Sequence, residues 1–172
     1  MPETLQPPPL QPHANTTVRP ATNGDAAGIA ALLASIGWFP RYQRGDADTH
    51  AAQLQTLIDN APGRSLLLVA ECPDPSADNT PLMGYCAVHW LPVAVQLGEE
   101  AYVSELFVHE SARGTGAGSL LLDAATAAAR ARGCARIWLV NNRQRPSYQR
   151  GFYAQHGWIE QPEMARFVLA LS

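Results

Sequence analysis

Three glycines separated by single small residues mark the point where an apolar strand pattern gives way to a helical one. The strand pattern covers residues 101–109, the glycines are Gly114, Gly116 and Gly118, and an alanine-rich helical pattern follows. Glycine has no Cβ, so a ligand can closely approach the backbone of such a turn. The first amides of a helix have no acceptor within the helix, and the helix dipole adds positive potential there. The pattern therefore predicts an anion site suited to a pyrophosphate, to which Arg113 can add a charged donor.

The lack of lysine removes one common alternative for such a turn. All 12 basic residues are arginines, so the chain has no Walker-type phosphate-binding lysine. The dinucleotide fingerprint requires a final glycine at position 119 or 121, where the chain has Ser119 and Leu121. From the residues alone, three interpretations stay open: a pyrophosphate site, another nucleotide-phosphate site, and a glycine-rich connection without a ligand.

Composition narrows the classes of partner. A net charge of −3 argues against nucleic acid and anionic membranes. No apolar run has the length of a membrane span and no secretory signal is recognisable, so we expect a cytoplasmic protein. The three cysteines form no CxxC pair and the histidines lack metal-ligand spacing, so we expect neither a disulfide framework nor a metal site.

The rest of the chain predicts an α+β fold. The proline-rich residues 1–15 are typical of a disordered tail, and residues 16–172 of one domain. The strand, glycine turn, helix and following strand predict a parallel crossover unit within a mixed sheet that has helices on both faces. Strands are predicted over residues 16–21, 65–72, 82–90, 101–109, 135–140, 158–159 and 166–171, and helices over 25–36, from Asp46 or Asp48 to Asp59, from the glycine turn to Gly133, and over 147–156.

Two signatures in this order resemble the GNAT acetyltransferase superfamily. Motif A of that family reads Arg/Gln-x-x-Gly-x-Gly/Ala, and Arg113, Gly116 and Gly118 match it. Downstream, residues 152–158 (FYAQHGW) are similar to the family's aromatic-Tyr-x-x-x-Gly-aromatic signature. The close resemblance covers residues 101–159. It implies a mixed, mostly antiparallel sheet with a V-shaped splay between the fourth and fifth strands, and acetyl-CoA as co-substrate with no metal.

Position by position, the resemblance also implies how the coenzyme is held. The backbone amides of the glycine turn would bind the pyrophosphate, and the end of the fourth strand would pair with the pantetheine arm at the splay, where strand amides and carbonyls lack a partner strand. The pyrophosphate residues are Arg113, Gly114, Thr115, Gly116, Ala117, Gly118 and Ser119, and the pantetheine residues are Leu106, Phe107 and Val108.

Two side chains are the candidate catalytic groups. The resemblance implies that Tyr153 is a general acid that protonates the leaving thiolate, and the alternative is a tyrosine that packs in the core. Strand alternation places Val103, Glu105 and Phe107 on one face, where Glu105 would accept the amine proton directly or through water. The alternative for Glu105 is a solvated or salt-bridged strand residue. By analogy, the backbone N–H of Leu106 or Phe107 is the oxyanion donor.

Further residues have weaker assignments. Asn141 and Asn142 follow the fifth predicted strand, where a carboxamide would reach the coenzyme or serve ordinary turn chemistry. Tyr148 is a second candidate for the general acid. If the first helices cover the site, as they do in relatives, the aromatic residues Trp38, Phe39 and Tyr42 flank the acceptor pocket.

The sequence thus predicts an N-acetyltransferase that transfers the acetyl group to a primary amine by direct attack in a ternary complex. The acceptor would be a small-molecule or peptide amine, and relatives often form homodimers. A catalytically inactive acyl-CoA-binding sensor or partner module of the same fold is the alternative.

Overall fold

The computed structural model describes residues 16–71 and 82–171, which fall into two compact units that divide between Leu139 and Val140. The predicted tail over residues 1–15 and the polar loop over 73–81 lie outside the described residues. The prediction of one domain over residues 16–172 stays a prediction.

The first unit is built on a five-stranded mixed sheet in the order β1-β2-β3-β4-β5. The first four strands pair antiparallel, and β4 pairs parallel with β5, so the predicted crossover unit and sheet class are confirmed. The β4–β5 pairing ends at Val103 and Leu139, although β4 continues to Val108. The parallel pairing therefore stops before β4 ends, which leaves residues 104–108 of β4 without β5 as a partner. Their bounds are β1 Thr17–Pro20, β2 Ser65–Glu71, β3 Leu82–Val93, β4 Gly98–Val108 and β5 Ile137–Leu139.

The described residues of the first unit form four α-helices: α1 Ala26–Ile36, α2 Pro40–Arg44, α3 Ala47–Asp59 and α4 Ala117–Arg132. The side chain of Asp46 accepts from the amide of Thr49 and caps α3 as predicted. The sequence pattern missed α2, because Pro40 suggested a break. Proline at the first position of a helix is tolerated, since its missing N–H would have no acceptor there.

The helices cover both faces of the sheet. On one face α1 and α3 pack on β2 and β3, in a core that includes Ile29, Leu54, Val69 and Tyr85. On the other face α4 lies against β3 so closely that a Cβ on Gly84 would be 2.8 Å from Leu121 Cδ1. This close packing places the start of α4 at the end of β4.

A β-bulge in β4 corrects one prediction. Ala87 pairs with Glu105, whereas Val88 pairs with Val103, so Ser104 is the extra residue. Because directly paired residues share a face, Val103 lies on the opposite face from Glu105. The continuous alternation predicted for this strand is therefore wrong at Val103.

An ion-pair cluster ties the start of α1 to the sheet edge. The guanidinium of Arg19 on β1 donates to Asp25 at 2.8 and 2.9 Å and to Glu71 on β2 at 2.8 and 3.0 Å. Asp25 ends the 3₁₀ turn that precedes α1, and its carboxylate also accepts from the amide and hydroxyl of Thr22. Burial and hydrogen bonding therefore fix this carboxylate.

The second unit contains two short helices, α5 Pro146–Gln149 and α6 Phe152–Gln155. A single helix over residues 147–156 was expected, but Gly151 at φ 66° breaks it. Residues 158–159 and 166–171 form no strand, so two predicted strands are wrong. Apolar β-formers such as Phe167 are exposed there, and strand propensity produces a strand only where a partner strand supplies a ladder.

Candidate coenzyme and acceptor site

The glycine turn joins β4 to α4 through a backbone that only glycine adopts easily. A 3₁₀ turn over Glu110–Ala112 follows β4, and Arg113 is extended. Gly114 has φ 80° and Gly116 has φ 89°, both in the left-handed region. The spacing of these two glycines thus follows from the turn geometry.

The turn is anchored from inside and open on its outer side. Thr115 is buried, and its Oγ1 donates to the carbonyl of Ala112 at 2.7 Å. Arg113 and Gly114 are exposed. The first helical bond of α4 runs from the amide of Leu120 to the carbonyl of Gly116, at 3.0 Å.

The start of α4 has the electrostatics of an anion site. Gly116 occupies the cap position and has no side chain to accept from the amides that follow it. Those amides have no acceptor within the helix, and the first turn carries no acidic residue. An anionic ligand at this place would therefore meet main-chain donors and an exposed guanidinium.

The end of β4 offers an extended edge beside this turn. On one side, Leu106, Phe107 and Val108 pair with residues 84–86 of β3. On the other side, the pairing with β5 has already ended at Val103. An amide-rich ligand arm can pair with an edge of this kind.

Glu105 lies half-buried just beyond the end of the β4–β5 pairing, on the face covered by α1 and α3. Burial raises the pKa of its carboxyl, while a hydrogen bond from Tyr85 and the charge of His89 act against that rise. Burial and the charge of Glu105 in turn raise the pKa of the Tyr85 phenol, so Tyr85 stays a neutral donor. A carboxylate in such a position is a stronger base than an exposed one.

Aromatic side chains from α2 and the preceding connection surround Phe107 near Glu105. The rings of Trp38 and Phe39 meet Phe107 edge-on, at centroid distances of 6.3 and 5.2 Å. Tyr42 packs on Phe39 at 6.3 Å, and its pKa is raised by burial and by the charge of Glu105. The structure therefore brings this aromatic group to the face that carries Glu105.

The structure adds a second aromatic group that the sequence pattern did not reveal. Tyr102 stacks on Trp138 of β5 at 4.4 Å, and His89 lies 6.4 Å from Tyr102 between centroids. His89 Nε2 and Ser104 Oγ share a hydrogen bond of 2.8 Å. The strand register places Tyr102 and His89 on the face of Glu105. The bulge at Ser104 creates this arrangement, and it has no clear signal in the sequence.

The remaining predicted residues lie in the second unit, with partners of their own. Asn141 Nδ2 donates to Ser147 Oγ at 3.2 Å, and Asn142 Oδ1 accepts from the amide of Gln144 at 2.8 Å. The second bond is ordinary turn chemistry, the alternative considered for these asparagines.

The two candidate tyrosines differ in their surroundings. The hydroxyl of Tyr148 donates to Glu160 at 2.8 Å, and this bond raises the pKa of its phenol. Tyr153 begins α6 together with Phe152, and its ring packs on Phe152 at 5.0 Å and on Trp158 at 6.1 Å.

Other chemistries find less support in the described residues. Residues 16–71 and 82–171 contain no group of three His, Cys, Asp or Glu side chains that would hold a metal ion. Burial raises the pKa of the Cys86 thiol to about 12, so it is not a thiolate at neutral pH. In the same ranges, no helix has the length and apolar character needed to cross a membrane.

Comparison with known proteins finds one matching family. Residues 30–158 match the acetyltransferase (GNAT) family. A transcriptional regulator from Bacillus halodurans C-125 has a similar structure, with a TM-score of 0.74, 26% identity, and coverage of 91% of this chain and 99% of that one. No curated protein sequence matches the chain.

Two acetyltransferase structures share the fold at lower identity. The first is a ribosomal-protein-alanine N-acetyltransferase from Brucella melitensis biovar Abortus 2308, with a TM-score of 0.68, 22% identity, and coverage of 91% of this chain and 99% of that one. The second is an aminoglycoside acetyltransferase from an uncultured soil metagenomic sample, with a TM-score of 0.72, 15% identity, and coverage of 92% and 97%.

Proposed function

Because the chain belongs to the GNAT acetyltransferase family, we propose that it transfers the acetyl group of acetyl-CoA to a primary amine. The observation that supports this proposal most directly is the junction of β4 and α4. There a strand edge without its parallel partner leads into a glycine turn and an uncapped helix start. This arrangement suits a ligand with an amide-rich arm and a diphosphate.

The coenzyme would lie along this junction. The main-chain amides of Gly114 and of residues 116–119 would bind the pyrophosphate, because those of Arg113 and Thr115 already donate to the carbonyls of Glu110 and Ala112. The exposed guanidinium of Arg113 would add charge-assisted bonds. The edge residues 106–108 would pair with the pantetheine arm. Asn141 and Asn142 stay candidates for a further contact.

The chemistry requires a neutral amine, a stabilised oxyanion and a protonated leaving group. In our proposal Glu105 accepts the amine proton, and the N–H of Leu106 or Phe107 faces the developing oxyanion. Tyr153 donates its hydroxyl proton to the departing sulfur. The buried Cys86 thiol argues against an acyl-enzyme, so the amine would attack directly in a ternary complex.

The acceptor would be a small-molecule or peptide amine. Structural neighbours include an enzyme named for aminoglycosides and one named for a ribosomal-protein alanine, so both classes belong in a test. We expect the reaction to take place in the cytoplasm, where acetyl-CoA is available.

The test is an amine-library screen with acetyl-CoA that measures release of the free thiol. The proposal predicts turnover with at least one amine, and Gly118→Glu should abolish it by placing a carboxylate where the pyrophosphate binds. Gly118 lies within α4, so this change avoids the left-handed positions 114 and 116. Ala127→Glu, on the exposed side of the same helix, is the matched control and should keep its activity.

Two outcomes would contradict the proposal. Tight CoA binding without thiol release for any amine would support an inactive acyl-CoA-binding module. Tight binding of a nucleoside triphosphate in place of CoA would support a nucleotide-phosphate site.

A further inference from the structure

A groove between α2 and α3 carries polar side chains that the proposed reaction does not use. We call it the α2–α3 groove, and it has a volume of about 350 Å³. Its side chains are Arg41, Arg44, Asp46, Thr49, His50 and Gln53.

The charge in the α2–α3 groove is positive. Arg41 and Arg44 are exposed on α2, and neither forms an ion pair with a described residue; Arg44 Nε donates to the carbonyl of Pro40 at 3.3 Å. Asp46 is the acid in the groove. Its Oδ2 already accepts from the amide and hydroxyl of Thr49, at 2.9 and 3.0 Å. The groove thus holds two guanidinium groups and one carboxylate, and that carboxylate is occupied by the start of α3.

His50 is a polar group that is buried against the groove. His50 is only 7% exposed, and it lines the groove. The ring packs on Tyr42 at 4.7 Å and against the backbone of Gly45, where a Cβ would overlap it. No residue of the described ranges forms a hydrogen bond with its nitrogens. Its ring therefore gives the α2–α3 groove a polar wall that a ligand can contact.

Tyr42 links the α2–α3 groove to Glu105. The Tyr42 ring packs on the His50 ring, and the charge of Glu105, after burial, raises the pKa of the Tyr42 phenol. The groove therefore adjoins the side of the sheet to which the proposed function assigns the amine.

We infer that the α2–α3 groove binds an acidic group of the acceptor, a carboxylate or a phosphate, while the amine of the same molecule is held at Glu105. This inference rests on the proposed function and specifies its substrate class. A guanidinium forms paired hydrogen bonds with either oxyanion, and the Arg41 and Arg44 side chains are available for that role. His50 supplies a further polar contact deeper in the groove.

The first test compares amines that differ only by the acidic group, such as phenylalanine with phenethylamine and phosphoethanolamine with ethanolamine. Wild-type protein should prefer the acidic member of at least one pair. Arg41→Gln and Arg44→Gln should each lower kcat/KM for that member by about tenfold, and for the neutral member by less than about twofold. Arg64→Gln removes an exposed charge outside the groove and should leave both values unchanged. Equal effects on both members, or no preference, would overturn the inference.

The second test does not depend on activity. NMR of the His50 ring, assigned with His50→Gln, is followed while inorganic phosphate or acetate is added. A saturable shift that disappears in Arg41→Gln would support the inference, and the more effective anion identifies the acidic group. A missing shift, or one that the variant retains, would overturn it. If no amine is acetylated, the proposed function fails, and this titration still decides whether the groove binds an anion.

Discussion

The carboxylate of Asp25 should make a pH-dependent contribution to stability. Its side chain is 9% exposed, and hydrogen bonds from Arg19 and Thr22 lower its pKa from 3.8 to about 2 despite burial. A difference of nearly two pKa units corresponds to roughly 2.5 kcal/mol, which partial exposure of Arg19 reduces to about 2 kcal/mol. Because the folded-state pKa is depressed, the contribution is complete above the unfolded pKa and is lost as pH falls toward 2.

Asp25→Asn removes this contribution, because an amide does not ionise. Urea unfolding at about pH 6 should show a loss near 2 kcal/mol, and the difference from wild type should shrink between about pH 5 and pH 2. Asp48→Asn, at an exposed position of α3, is the control and should change stability by less than about 0.5 kcal/mol. A difference that stays constant over this pH range would refute the role assigned to the ionised Asp25.

Three further variants test the packing and the proposed chemistry. Glu105→Gln should lower kcat/KM by about 10²-fold or more and remove the acid limb of the pH profile. In wild type this limb should lie above the usual glutamate pKa, because burial raises the pKa of Glu105, and an unchanged profile would exclude Glu105 as the base. Gly84→Ala should lower the free energy of unfolding by about 1–3 kcal/mol in a denaturant titration, and unaltered stability would contradict the close packing of α4 on β3. The added Cβ would lie 2.8 Å from Leu121 Cδ1 and 2.9 Å from the carbonyl oxygen of Phe107. Tyr153→Phe should reduce turnover more than coenzyme affinity, measured by steady-state kinetics and calorimetry, and equal turnover would remove its acid role.

Much of the fold follows from local signals in the sequence. Helix ends were predictable at Gly37 and Gly133, which adopt left-handed φ values, and at Asp46, which caps α3. The glycine turn was predictable for the same reason, because Gly114 and Gly116 need positive φ. Such signals depend on a few neighbouring residues, so they survive without knowledge of the tertiary structure.

Features that depend on distant partners were not predictable. The bulge at Ser104 arises from the register between β3 and β4, and the local sequence of residues 103–107 (VSELF) does not specify that register. The stacking of Tyr102 on Trp138 depends on the same pairing of distant strands. Strand propensity over residues 166–171 was also insufficient, because a strand requires a partner edge.

In the candidate site, too, local features were predictable from the sequence and tertiary contacts were not. The cluster of main-chain donors was predictable from glycine spacing, because it belongs to one turn. The neighbours of Glu105 were not, since Tyr85 and Tyr42 come from β3 and α2 and meet it only in the folded sheet. Environment, and with it the pKa of a catalytic candidate, is a property of tertiary structure.

An amide-resolved titration of ¹⁵N-labelled protein with acetyl-CoA shows whether the main-chain donors at the start of α4 bind the coenzyme. If the pyrophosphate binds at this turn, we expect saturable shifts for the amides of residues 113–119, together with those of residues 106–108 on the strand edge. Saturation of the protein with coenzyme while these amide signals stay in place would contradict it.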